Sequence, residues 1–247
     1  MKTNKMLSAF SLLAFSAVML TSCGGPPKNP VHSVDDLKGK HIGVQSGTTG
    51  DALASDIENA NVEKYITAAD AIQELRDGKI DAVIVDLETA NAFTKKNTDI
   101  KTLDEEFSEE KYAIAVKLDN TALRDELNGA LKALDENGTL KTIKANYEGD
   151  EKGLHPYELK VGAKRDKGTM VMATNAEFPP YESYDGTKIV GFDVDMMNAV
   201  CDYLGYELRI QDMDFEEVLP AVQSGKVNVG VAGLSITEDR KKRCVVH

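Results

Sequence analysis

Short apolar runs alternate with stretches of helical periodicity along most of this chain. His41-Ile42-Gly43-Val44 predicts a strand running into the turn SGTTG at 46–50, and a helix over 51–59 follows. Ala82-Val83-Ile84-Val85 reads as a buried strand that ends at Asp86. Residues 111–117 predict another strand. Leucines at 123, 127, 131, 134 and 140, continued by Ile143 and Tyr147, predict one long helix over 119–147. A polar connector at 149–160 leads into a second series: strand 169–174, helix 192–204, strand 206–210, helix 215–223 and strand 227–232. This alternation predicts α/β units on mainly parallel sheets, and the two series predict two lobes.

The N-terminus breaks the pattern. Lys2 and Lys5 precede an apolar stretch from Leu7 to Leu20, too short for a membrane span, which ends in small residues and Cys23. Residues 1–22 therefore read as an export leader. Leu20-Thr21-Ser22-Cys23 resembles the lipobox of bacterial lipoproteins, which implies acylation of Cys23 as the mature N-terminus. The alternative is an ordinary cleaved leader with an incidental cysteine. Residues 23–32, with Pro26, Pro27 and Pro30, then form a tether between a lipid anchor in the membrane and a folded body outside it.

Composition narrows the partners. The chain has 247 residues, of which 42% are hydrophobic and 28% charged, enough for one or two folded cores. Its net charge of −12 argues against a nucleic-acid partner, since phosphate binding needs a basic footprint. Cys201 lies in the helical apolar set Met197-Val200-Cys201-Leu204 and reads as an inert buried thiol, leaving Cys244 alone. His32, His41, His155 and His247 have no ligand spacing with any cysteine, so no metal site is expected.

Polar groups collect where strands end, the usual ligand side of an open α/β sheet. The SGTTG turn offers backbone donors and hydroxyls suited to a carboxylate, or it is a plain helix-capping turn. It lacks the spacing of a nucleotide P-loop or a dinucleotide fingerprint, so no cofactor is expected. Asp86 is placed either to meet an ammonium group or to cap the helix starting at Leu87. Arg240 offers a planar fork for a carboxylate, or begins a solvated basic face with Lys241, Lys242 and Arg243. Phe178, in NAEFPPYESY, and Phe215, in DMDFEEVLP, are pocket walls or ordinary core.

Taken together these segments carry a resemblance. MVMATNAEFPPYESYDGTKIVGFDVDMMNAV through GLSITEDRKKR is similar to the N-terminal half of the polar-amino-acid-binding proteins of bacterial ABC importers. SVDDLKGKHIGVQSGTTGDALA, IDAVIVDLETANAF and YAIAVKLDNTALRDELNGALKALDENGTLKTIKANY resemble the C-terminal half of that family. The resemblance implies a two-lobed α/β fold of the type II periplasmic-binding class with its halves in permuted order. Lobe 2 would span 33–110 and lobe 1 would span 111–247, the latter made of 111–148, the connector 149–160 and 161–247.

The family's roles then fall on particular residues. Arg240 would take the α-carboxylate of an amino acid, with Gly47, Thr48 and Thr49 from the other lobe. Asp86 would take the α-ammonium, with the Gly233 carbonyl and the Ser235 hydroxyl. Phe178 and Phe215 would sandwich the side chain, while Asn175, Glu177 and Gln45 would tune selectivity. The implied protein is an extracytoplasmic receptor working with an ABC permease, not an enzyme. The alternatives are a dehydratase-like enzyme of the same fold and a rearranged, lobe-exchanging relic. The crossing strand that the family places after Val246 is missing, which leaves a domain-swapped dimer open.

Overall fold

Ala82–Asp86 (β4) is buried at all five positions, as a strand covered on both faces must be. The computed structural model describes residues 13–21, 31–105, 107–149 and 152–246, with 13–21, 245 and 246 described by backbone alone. Around β4 stand His41–Gln45 (β2) and Asn61–Tyr65 (β3), with β2 parallel to both of its neighbours. Helices Thr49–Ser55 (α1), Ala68–Arg76 (α2) and Leu87–Lys96 (α3) link and cover these strands. In α2 the buried set Ala68, Ala71, Ile72 and Leu75 is one helical stripe facing the sheet.

The remaining slots of this sheet are antiparallel. Leu13–Thr21 (β1) lies between β4 and Ile100–Thr102 (β5), with Ala17 opposite Val85 and Leu20 opposite Lys101. It also pairs with Glu109–Lys111 (β6), so the order is β3-β2-β4-β1-β5 with β6 on β1. The stretch expected to be the core of a leader is thus a central strand here. The physical reason is that a mainly apolar run of this length satisfies either a leader or an inner strand of a sheet. Cys23 and tether residues 24–30 lie outside the described residues, while Val31, expected to be tether, is buried in the core.

A second sheet has the order β12-β8-β13-β7-β14. It joins Ala115–Lys117 (β7), Thr169–Thr174 (β8), Glu207–Asp212 (β12), Val229–Gly230 (β13) and Cys244–Val246 (β14). The strands β12, β8 and β13 run parallel, while β7 is antiparallel to both β13 and β14. A three-stranded ribbon sits beside it, formed by Glu177–Phe178 (β9), Glu182–Asp185 (β10) and Lys188–Val190 (β11). Helices Phe192–Leu204 (α6), Phe215–Ser224 (α7) and Glu238–Arg243 (α8) complete this lobe.

The expected single helix over 119–147 is two helices, Thr121–Glu136 (α4) and Thr139–Tyr147 (α5). Between them Gly138 takes φ 81°, a left-handed turn that glycine adopts without steric cost. The leucine spacing conceals the break, because Leu140 and Ile143 resume a buried stripe in α5. The helix expected over 51–59 is also shorter, ending at Ser55, and Asn59 at φ 57° then turns the chain into β3. The strand β3 was not expected, since as an edge strand it has no fully buried position and no apolar run to announce it.

Removing residues 1–22 deletes β1 and leaves β4 and β5 without their shared partner, so many backbone donors and acceptors lose their bonds. The shortened chain 23–247 is expected to be less stable than the full chain by about 3 kcal/mol or more in urea unfolding. Equal stability of the two would show that this lobe closes without β1.

Candidate functional site

The ends of β2, β4 and β13 point their loops into one cleft between the lobes. Gln45, Thr48, Thr49 and Asp86 line it from one side, and Phe178, Phe215, Gly233, Ser235 and Arg240 line it from the other. The walls bound about 410 Å³ of non-atom space, open solvent included, but a water-sized body can be centred in only about 20 Å³ of it. The cleft is therefore closed, with room for about one water at roughly 10–15 Å³ each.

Asp86 stands at the N-cap position of α3, yet its side chain makes no capping bond. Among the described residues no hydrogen bond or ion pair reaches its carboxylate, which is buried in the cleft. Burial raises its pKa well above the ordinary carboxylate value, Glu110 adds to the rise, and Arg240 opposes it. The capping alternative is thereby set aside, and the carboxylate is left facing the cavity.

Arg240 is only 7% exposed, unlike Lys241, Lys242 and Arg243 beside it. The Thr237 hydroxyl accepts from the Arg240 backbone N–H and starts α8, which turns the guanidinium inward. Its fork donates to the Ser235 carbonyl at 2.9 Å and to the Gly47 carbonyl of the other lobe at 3.2 Å. The Phe215 ring lies 5.4 Å beneath the guanidinium carbon, a cation–π contact. Phe215 thus supports the arginine as well as lining the cleft.

In the SGTTG turn the capping alternative is realised at Thr48. The Thr48 hydroxyl caps α1 by accepting from the Asp51 N–H and donates to the Gln45 carbonyl. The next hydroxyl, that of Thr49, donates to Glu110 at 2.8 Å. Gly47 contributes through its carbonyl on Arg240, while its own N–H goes to Asp51.

Phe178 is both wall and core: it stacks on Tyr181 with centroids 5.5 Å apart and lines the cavity. Gly233, at φ 54°, lets it do so, because a Cβ there would lie 2.8 Å from the ring. The Gly233 N–H donates to Asp193 at 3.0 Å, and burial lifts the Asp193 carboxyl to about 6. Glu182, fully buried next to it, is pushed well up by burial and by Asp193. Asp193 holds the glycine loop from behind.

Two expected selectivity residues are placed otherwise. Asn175 is consumed by protein contacts, accepting from Gln45 at 2.8 Å across the lobes and donating to the Met213 carbonyl at 3.1 Å. Glu177 is exposed and stands outside the cavity, with its pKa raised by partial burial, Asp212 and Asp70. Glu110 was missed. It lies in the polar run Glu109-Glu110-Lys111, which carries no motif, and only the crossing of the lobes brings it to the site.

Comparison with known proteins finds partial matches. Residues 170–246 match the family model of the bacterial extracellular solute-binding proteins, family 3. Over 82 residues the chain is 38% identical to the arginine-binding extracellular protein ArtP of Bacillus subtilis (strain 168), covering 33% of this chain and 32% of that protein. It is 31% identical over 121 residues to the L-cystine-binding protein TcyJ of Escherichia coli (strain K12), covering 48% and 46%. The structure of an ancestral arginine-binding protein bound to arginine aligns with a TM-score of 0.51 at 33% identity, covering 56% of this chain and 62% of that one. The resemblance read from the motifs is therefore to amino-acid-binding extracellular proteins, and the fold is the two-lobed type II class. The chain spans about a third to a half of the length of these curated relatives.

An unpartnered buried carboxylate is a cost to the ligand-free fold. Asp86→Asn is expected to raise stability by about 1–3 kcal/mol near pH 8 while weakening ligand binding. Because the folded pKa of Asp86 is raised, the wild type loses stability as pH climbs through that value, so the advantage of Asn should shrink on acidification. Urea unfolding of both proteins across pH 4–8 checks this; a variant less stable than wild type at every pH would contradict it.

Proposed function

We propose that this chain is an extracytoplasmic receptor that binds a free polar amino acid in the cleft and delivers it to an ABC importer. The observation that carries the reading is the pair of buried charges on opposite walls. Among the described residues, Asp86, from β4 of one lobe, has no hydrogen-bond or ion-pair partner for its carboxylate, and Arg240, from α8 of the other, has no carboxylate in contact. A zwitterion matches both: its ammonium answers Asp86 and its carboxylate answers the Arg240 fork. Bridging the lobes in this way favours the closed form.

The relatives' names describe binding of arginine and of cystine. Aromatic walls at buried Phe178 and half-buried Phe215 suit the aliphatic part of such a ligand and help exclude water, which strengthens both ion pairs. Acylation of Cys23 would tether the body to the membrane, and the accompanying cleavage of the leader would remove β1, so processing and the sheet are linked. No helix among the described residues is long and apolar enough to cross a membrane.

A thermal-unfolding panel of the full chain with each common amino acid tests the reading. A ligand at a hundredfold excess over its Kd stabilises the fold by about 2.7 kcal/mol, a rise in midpoint of about 5–10 °C. One polar amino acid is expected to give that rise, and Arg240→Ala is expected to abolish it. No rise with any amino acid in a folded sample would overturn the receptor reading and favour a rearranged chain without binding.

A further inference from the structure

Glu110 lies on β6, the segment by which the chain passes from one lobe to the other. Its place is fixed by backbone pairing: the Ile236 N–H donates to the Lys111 carbonyl at 2.9 Å, and the Ala113 N–H donates to the Leu234 carbonyl at 2.9 Å. These bonds hold residue 110 beside Ser235. One carboxylate oxygen, Oε2, then accepts two hydroxyls, from Ser235 at 2.6 Å and from Thr49 at 2.8 Å. The first hydroxyl belongs to one lobe and the second to the other. Glu110 therefore pins the cleft shut with an anion of the protein's own.

The donors that Glu110 takes are those that a ligand needs. Thr49 and Ser235 both line the cavity, and the field of Glu110 reaches both Asp86 and Arg240. The Arg240 fork meanwhile rests on two backbone carbonyls, one from each lobe. With about 20 Å³ open to a water-sized body, the closed cleft cannot admit an amino acid until something leaves. The carboxylate of Glu110 is the group that competes for the hydroxyls, and it is attached to a segment that crosses between the lobes.

We propose that Glu110 is a built-in competitor: without ligand its carboxylate holds the hydroxyl donors of both walls, and an incoming amino acid displaces it. The proposal rests on the receptor reading above and adds a device that sets its affinity. While Glu110 occupies the donors, only a fraction of molecules is competent to bind, and the apparent Kd is raised by the inverse of that fraction. On displacement the ligand carboxylate takes over the Thr49 hydroxyl and draws the Arg240 fork from its carbonyls, while the Ser235 hydroxyl is freed to accept from the ligand ammonium.

Titration calorimetry of wild type, Glu110→Gln and Glu110→Ala with the amino acid found by the thermal panel tests this, alongside small-angle scattering of the ligand-free proteins. A neutral amide holds hydroxyls more weakly than a carboxylate, so Glu110→Gln is expected to bind about 10-fold more tightly, and Glu110→Ala at least as tightly as that. The ligand-free Glu110→Ala protein is expected to scatter as a more open molecule and to return to the wild-type profile on adding ligand. Weaker binding in both variants would make Glu110 a ligand contact instead and overturn the proposal, as would unchanged affinity. If the wild type binds no amino acid, the receptor reading fails, and the scattering comparison still decides whether Glu110 holds the lobes together.

Discussion

Two opposite charges buried on facing walls, Asp86 and Arg240, set the terms for the rest of this structure. Among the described residues neither meets a direct partner of opposite charge, and burial pushes the Asp86 pKa well up, so a ligand ammonium and carboxylate would answer both groups at once. Asp86 reaches the cleft because β4 ends there and α3 starts without using its side chain as a cap. Arg240 reaches it because Thr237 caps α8 and directs the first turn inward, while the next three basic residues stay outside. The same six-residue helix thus presents one buried and three solvated cations.

Much of this was legible in the sequence. Parallel strands buried on both faces announce themselves as apolar runs, and each of β2 and β4 ends in a residue that lines the cleft, Gln45 and Asp86. The resemblance then drew Phe178, Phe215, Gly233, Ser235 and Arg240 together although they are spread over more than sixty positions. What stayed hidden was anything fixed by a single contact rather than a pattern. Glu110 sits in a charged run that reads as solvated surface, and the amide of Asn175 was free on paper but is committed to Gln45 and Met213 in space. The break at Gly138 was masked by a leucine stripe that continues on its far side.

The N-terminal stretch shows a different kind of ambiguity, one of chemistry rather than of missing contacts. An apolar run such as Leu13–Thr21 is what a translocation signal requires and also what a strand buried between β4 and β5 requires. Hydrophobic pattern cannot separate the two, because both are read by removal from water. The two roles are mutually exclusive in one molecule: once a leader is cleaved, the sheet has lost its middle. The state of this slot therefore bears on whether the lobe opposite Arg240 holds Asp86 in place.

The central claim is that the cleft reads both α-groups of an amino acid at once, the ammonium by Asp86 and the carboxylate by Arg240. The most direct measurement is a calorimetric comparison of one bound amino acid with its decarboxylated amine and its deaminated acid. A site with buried groups built for both is expected to reject each analogue by about 100-fold or more, since either loss leaves a buried charge unanswered. An analogue that binds as tightly as the parent amino acid would contradict the account.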